Sequence, residues 1–113
     1  MDVRYETDSG WPSALENLWR RVSAYTRGDR IIGWKVGLTN NPERRAYSYD
    51  RDTDYYYDEM VAIYETSSIK NARDLEFAIT SEYDGYCDNE RLGGAGPDSA
   101  TPPYYVYLVL KRK

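Results

Sequence analysis

Apolar positions along the chain recur with two periods, and the switches between them mark the elements. Trp11, Leu15, Leu18, Trp19, Val22 and Tyr25 follow the helical period on one face, with Glu16, Arg20, Arg21 and Ser23 opposite, which predicts a helix over 11–25. Pro12 suits its first turn and Gly28 its stop. The apolar run over 31–38 predicts a strand, with Gly37 close to its end. Asn41 then caps a helix that has Pro42 at its first position and Glu43 in its first turn. That helix carries Arg44 and Arg45 and fades near "YDRDTDYYYDE", an acidic stretch expected to be a loop. "MVAIYE", residues 60–65, predicts a second strand. Ser67 or Ser68 caps the next helix, which runs to about Tyr83 with Ile69, Ala72, Leu75, Ile79 and Tyr83 inward. On a helical wheel Glu76 falls inside that stripe, and a carboxylate on a buried face needs a partner or a task. "CDNERLGGAGPDSATPP" is a glycine- and proline-rich loop, and "YYVYLVLKRK" closes the sequence as a strand with a basic end. The expectation is an α/β (α+β) fold in one domain over 1–113, with a small three-stranded sheet, flanking helices and a C-terminal strand over 104–113 that completes the sheet.

Composition removes several chemistries. The chain has no histidine, so imidazole bases and His-ligated zinc are excluded. Cys87 stands alone, so neither an internal disulfide nor a Cys-rich metal site can form, which fits a reducing, cytoplasmic setting. The start "MDVRYETDSG" is acidic and polar and does not read as a signal peptide, and no apolar run approaches membrane-spanning length. The formal charge of −4 argues against broad duplex DNA binding, although a local basic pocket stays open. There are 13 tyrosines against one phenylalanine. That excess suits a wet interface or a polar pocket, because each ring brings apolar area together with a hydroxyl.

Three segments together carry a resemblance. "WKVGLTNNPERR", then "SSIKNARDLEFAI", then an asparagine followed by glycines resemble, over about residues 31–96, the GIY-YIG endonuclease superfamily. The resemblance implies a three-stranded sheet whose paired strands supply tyrosines, with an arginine from the first helix, a metal-binding glutamate from a later helix and an asparagine near the end. Carried over by position, the arginine is Arg44 or Arg45, the glutamate Glu76 and the asparagine Asn89. The second motif tyrosine falls at Lys35, which is a departure. The C-terminal strand looks like the first motif strand, with Tyr107 in the tyrosine position. It is expected to take that strand's slot by permuted connectivity or to pair across a subunit boundary. The residue types suit phosphate chemistry: a guanidinium fork binds the phosphate, a carboxylate holds Mg²⁺, and a phenol orients or deprotonates water.

Two functions compete on this basis. In the first the protein is a binder with no catalytic residues and no cofactor. Lys35, Arg44, Arg45, Glu76, Asn89, Arg91 and the amides of Gly93 and Gly94 then hold a phosphate-containing ligand, and aromatic rings stack on its base. Lysine binds an anion but does not replace a phenol, so the change at Lys35 points toward holding. In its short, tyrosine-rich character the chain is similar, more loosely, to the phage Thoeris anti-defence signal-sponge family. That likeness implies a cyclic ADP-ribose-like or cyclic-oligonucleotide ligand sequestered in the host cytoplasm to blunt bacterial immunity, and a homo-oligomer. Trp11, Trp19 and the C-terminal strand are available for the oligomer interface. The alternative is a Mg²⁺-dependent nuclease in which Arg44 or Arg45, Glu76 and Tyr107 carry cleavage.

Overall fold

The computed structural model describes residues 1–9, 15–28, 30–51, 57–88 and 101–113. In chain order the elements are β1 (Val3–Asp8), α1 (Leu15–Thr26), β2 (Ile31–Thr39), α2 (Pro42–Arg51), β3 (Glu59–Thr66), α3 (Ile69–Glu82) and β4 (Tyr104–Arg112). The strands form one sheet in the order β1-β3-β4-β2. β4 runs antiparallel to both β2 and β3, while β1 lies parallel to β3. The mixed α/β class is as expected, but this sheet has four strands, not three.

The extra strand is β1. Its Val3 and Tyr5 alternate with Arg4 and Glu6, a period of two that the acidic composition of the segment hides. As an edge strand it needs little apolar content, and its charges find partners in the fold. Arg4 donates to Glu59 at 3.0 Å, and Arg21 of α1 donates to Asp8 at 2.6 Å. Arg21 is therefore half-buried against β1, where the wheel had placed it on the outer face.

β4 sits between β2 and β3 within the same chain. Both of its faces are covered, so Val106 to Leu110 are all buried and the strand reads as an unbroken apolar run. On one face α1 and α3 pack Leu18, Val22, Ala72, Leu75 and Ile79 against Trp34, Val36, Val61, Leu108 and their neighbours. The other face belongs to α2, where Ala46 and Tyr49 meet Met60, Tyr107 and Val109. A register shift between Ala62 and Tyr64 turns both Ile63 and Tyr64 toward the α1 and α3 side.

Local chemistry sets the element ends. Gly28 takes a φ of +123°, which lets the chain leave α1 toward β2. Ser68 is the N-cap of α3, and its hydroxyl accepts from the Asn71 amide at 3.1 Å. Ser68→Ala is expected to lower stability by about 1 kcal/mol without altering the spectrum of the folded state, measured by urea unfolding. Trp11, Pro12, residues 52–56 of the first predicted loop and residues 89–100 of the second lie outside the described residues. Among those described, no helix is long and apolar enough to cross a membrane.

Candidate functional site

The α2 side of the sheet is where tyrosine, arginine and lysine meet. The turn from β2 into α2 is tied by Thr39, whose hydroxyl accepts from the Asn41 amide at 3.1 Å. Asn41 Oδ1 in turn accepts from the Arg44 amide at 3.1 Å and so caps the helix. Buried Ala46 lets α2 approach the strands closely. Arg45 and Tyr49 stand four residues apart, on one helical face, and both reach Tyr107. The Tyr49 and Tyr107 hydroxyls lie 2.9 Å apart, with the rings edge to face.

Tyr107 lies over Gly37, its partner across the β2–β4 ladder. A Cβ on Gly37 would fall 2.2 Å from the ring's Cζ and hydroxyl oxygen. The glycine that reads in sequence as a strand-end signal is thus a seat for a phenol. Gly33 plays the same part for Asp88, whose Oδ2 would lie 2.9 Å from an added Cβ. Asp88 accepts from the Tyr57 hydroxyl at 3.0 Å, and its own amide donates to the Trp34 carbonyl at 2.7 Å. Tyr57 meets Tyr49 edge to face at 5.6 Å. Lys35 lies between these two glycines and opposite Val109, hence on the same face of β2.

Tyr107 is 1% exposed, and burial pushes its phenol well above the ordinary value of 10.0. Tyr49 pushes the same way; the Arg45 guanidinium pulls down without overcoming burial. At neutral pH Tyr107 is therefore a hydrogen-bond donor and a poor base. Further along this face the character turns acidic. Tyr5 donates to Glu43 at 2.5 Å and Tyr105 to Glu65 at 3.3 Å, and burial followed by those carboxylates raises both phenols.

The residues singled out in sequence are distributed unevenly. Arg45, Tyr107 and Lys35 share the α2 face, whereas the Arg44 side chain is exposed. Glu76 is 1% exposed on α3, whose buried neighbours Ala72, Leu75 and Ile79 pack against the opposite face of the sheet. Its Oε2 accepts no hydrogen bond among the described residues. Asn89, Arg91, Gly93 and Gly94 lie outside the described residues. Tyr49, Tyr57 and Asp88 escaped the sequence reading, although the tyrosine excess was the signal for the first two. Among the described residues no group of three or more carboxylates or thiols converges in a way that would hold a metal ion.

Comparison of the chain with protein-family models, with curated proteins and with solved structures returns no match.

Proposed function

We propose that the protein binds a phosphate-containing small nucleotide on the α2 face and holds it without cleaving it. The observation that carries this reading is the meeting of Arg45 with the buried, protonated Tyr107 phenol on the face that also carries Lys35. Guanidinium and ammonium groups supply charge-assisted bonds to a phosphate, and a phenol that keeps its proton adds a neutral donor. Cleavage asks for different things: a base able to take a proton from water, and a metal beside the phosphate. Tyr107 is held in its protonated form, and Glu76 sits on the helix that packs on the other side of the sheet. Both features favour holding. In the setting suggested by the likeness to phage signal sponges, the ligand is a cyclic ADP-ribose-like or cyclic-oligonucleotide immune signal, bound intact by an oligomer of this chain.

Calorimetry and thermal shift against cyclic ADP-ribose isomers and cyclic oligonucleotides test this. One ligand class is expected to raise the melting temperature by several degrees and to be recovered unchanged after heat denaturation. Arg45→Ala should weaken its binding about ten- to a hundredfold, the size expected for one charge-assisted contact, while Arg44→Ala changes it less than about twofold. Equal effects of the two substitutions would move the ligand off this face. Mg²⁺-dependent cutting of a plasmid that disappears in Glu76→Ala would replace the binder with a nuclease.

A further inference from the structure

On the far side of the sheet from Tyr107, α1 with the residue after it and the C-terminal end of α3 border an open cleft of about 580 Å³, lined by Trp19, Arg20, Ser23, Arg27, Glu82 and Tyr83. A second, smaller hollow of about 280 Å³ shares Arg27 and Tyr83 with it, so the two adjoin. The larger one has the size of a small-molecule site.

Its aromatic wall is held by ring contacts and backbone hydrogen bonds. Tyr83 stands between two tryptophans: its ring centroid lies 6.3 Å from Trp19, with the planes tilted by 46°, and 5.1 Å from Trp34, edge to face. Its backbone is held as well, because its amide donates to the Ile79 carbonyl at 3.0 Å and its carbonyl accepts from Tyr86 at 2.8 Å and Cys87 at 3.2 Å. Trp19 and Tyr83 are only half-buried, which leaves ring surface facing the cleft. A planar ring can stack there without any rearrangement of the wall.

The polar groups are of both signs. Arg20 and Ser23 lie at i and i+3 on α1, and Arg27 follows just past its end, where its amide donates to the Ser23 carbonyl at 2.9 Å. Arg27 pairs with no carboxylate among the described residues. Among the described residues Arg20 has Glu16 as its carboxylate partner, at 3.7 Å and with both side chains largely in solvent, a contact of little strength. Against these guanidinium groups stand the Glu82 carboxylate and the negative ends of two helices, since α1 and α3 both finish here. Each helix end weighs modestly against an anion. Two guanidinium groups beside one phosphate oppose them with charge-assisted bonds. The balance admits one phosphate group and disfavours a polyanion, and Glu82 asks for a hydroxyl or amine donor beside it.

We infer that this cleft is a second ligand site, separate from the α2 face, for a nucleoside monophosphate. The base lies against Trp19 and Tyr83, the phosphate takes Arg27, and the ribose hydroxyls donate to Glu82.

Titration of the whole chain with adenosine 5′-monophosphate, adenosine and inorganic phosphate, followed by tryptophan fluorescence and calorimetry, tests the site. The monophosphate should quench fluorescence saturably and bind at least about tenfold more tightly than adenosine, and phosphate alone should give no response. Arg27→Ala should weaken the monophosphate about tenfold, and Trp19→Phe should remove most of the quenching. Arg27 is exposed, so its loss does not threaten folding, and unchanged thermal melting of the variant checks this. The assignment is overturned if the monophosphate gives neither quenching nor heat, or if Arg27→Ala binds it as the parent does. It is equally overturned if Arg45→Ala abolishes the binding, which would put the ligand on the α2 face instead. Failure of the α2-face reading, by contrast, would show only in the Arg45 arm of the cyclic-nucleotide titrations.

Discussion

Gly37→Ala is expected to unfold at markedly lower urea than the parent chain, with a loss of about 2–3 kcal/mol. Elsewhere in a strand the same change is mildly favourable, because alanine loses less backbone entropy on folding than glycine. The sign reverses here for a steric reason. The new Cβ would lie 2.2 Å from Cζ and the hydroxyl oxygen of Tyr107 and 2.8 Å from its Cε1. A ring tip on the surface would swing aside at little cost. This one is 1% exposed, touches Tyr49 through its hydroxyl and edge, and faces Arg45. Moving it disturbs the packing of α2 on the sheet. A double-mutant cycle isolates the contact. In a Tyr107→Leu background the obstructing ring tip is gone, and Gly37→Ala should then cost less than about 0.5 kcal/mol. An equal cost in both backgrounds would mean that the ring does not rest on the glycine. The same substitution also bears on function: a displaced Tyr107 no longer stands beside Arg45, so ligand affinity on the α2 face should fall together with stability.

Alkaline solution is the second large effect. Tyr107, Tyr5 and Tyr105 all hold their protons more tightly in the folded chain than a free phenol does, each chiefly through burial. The folded state thus keeps protons that the unfolded chain releases above its ordinary value of 10.0. Stability changes with pH as the protons bound by the unfolded state minus those bound by the folded state, and that difference is negative above this point. The stabilisation is fully present below pH 10 and drains away as pH rises toward the folded-state values. For buried Tyr107 alone the slope is about 1.4 kcal/mol per pH unit. Tyr5 is 46% exposed, so its share is smaller. Urea midpoints measured from neutral to strongly alkaline pH should fall steeply past the phenol range, and the phenolate absorbance band should rise together with loss of secondary structure. Tyr107→Phe should flatten the slope by about one proton's worth. An unchanged slope in that variant would show that this phenol titrates normally and is available as a base, which would reopen the case for hydrolysis.

The two readings of the α2 face turn on that phenol. A tyrosine that loses its proton readily beside an arginine suits cutting, and one that holds its proton suits gripping. The arrangement around Tyr107 is of the second kind: a hydroxyl partner in Tyr49, a guanidinium too weak to offset burial, and an apolar floor of Met60 and Val109.

Periodicity and end chemistry were enough for the three helices and three of the strands, because those signals are local. The Asn41–Pro42 start of α2, a serine cap on α3 at Ser67 or Ser68 and the buried stripe that includes Glu76 follow from spacing along one segment, and the structure selects Ser68. β1 did not, since an edge strand with half its positions charged carries almost no hydrophobic contrast, and its carboxylates and Arg4 are paired by residues far along the chain. The choice between Arg44 and Arg45 was closed to the sequence as well. Neighbours on a helix point about 100° apart, and only the docking of α2 through Ala46 turns Arg45 to Tyr107 and Arg44 to solvent. The tyrosine count announced many rings that carry a hydroxyl, but which rings meet, and that Tyr57 and Tyr107 are buried, depended on β4 lying between β2 and β3. That strand order brings residue 107 over residue 37 and within reach of residue 49. Chain-distant pairs of this kind are decided by sheet register and helix docking, which no single segment encodes. The kinds of side chain available were therefore legible in one dimension, and their assembly belonged to three.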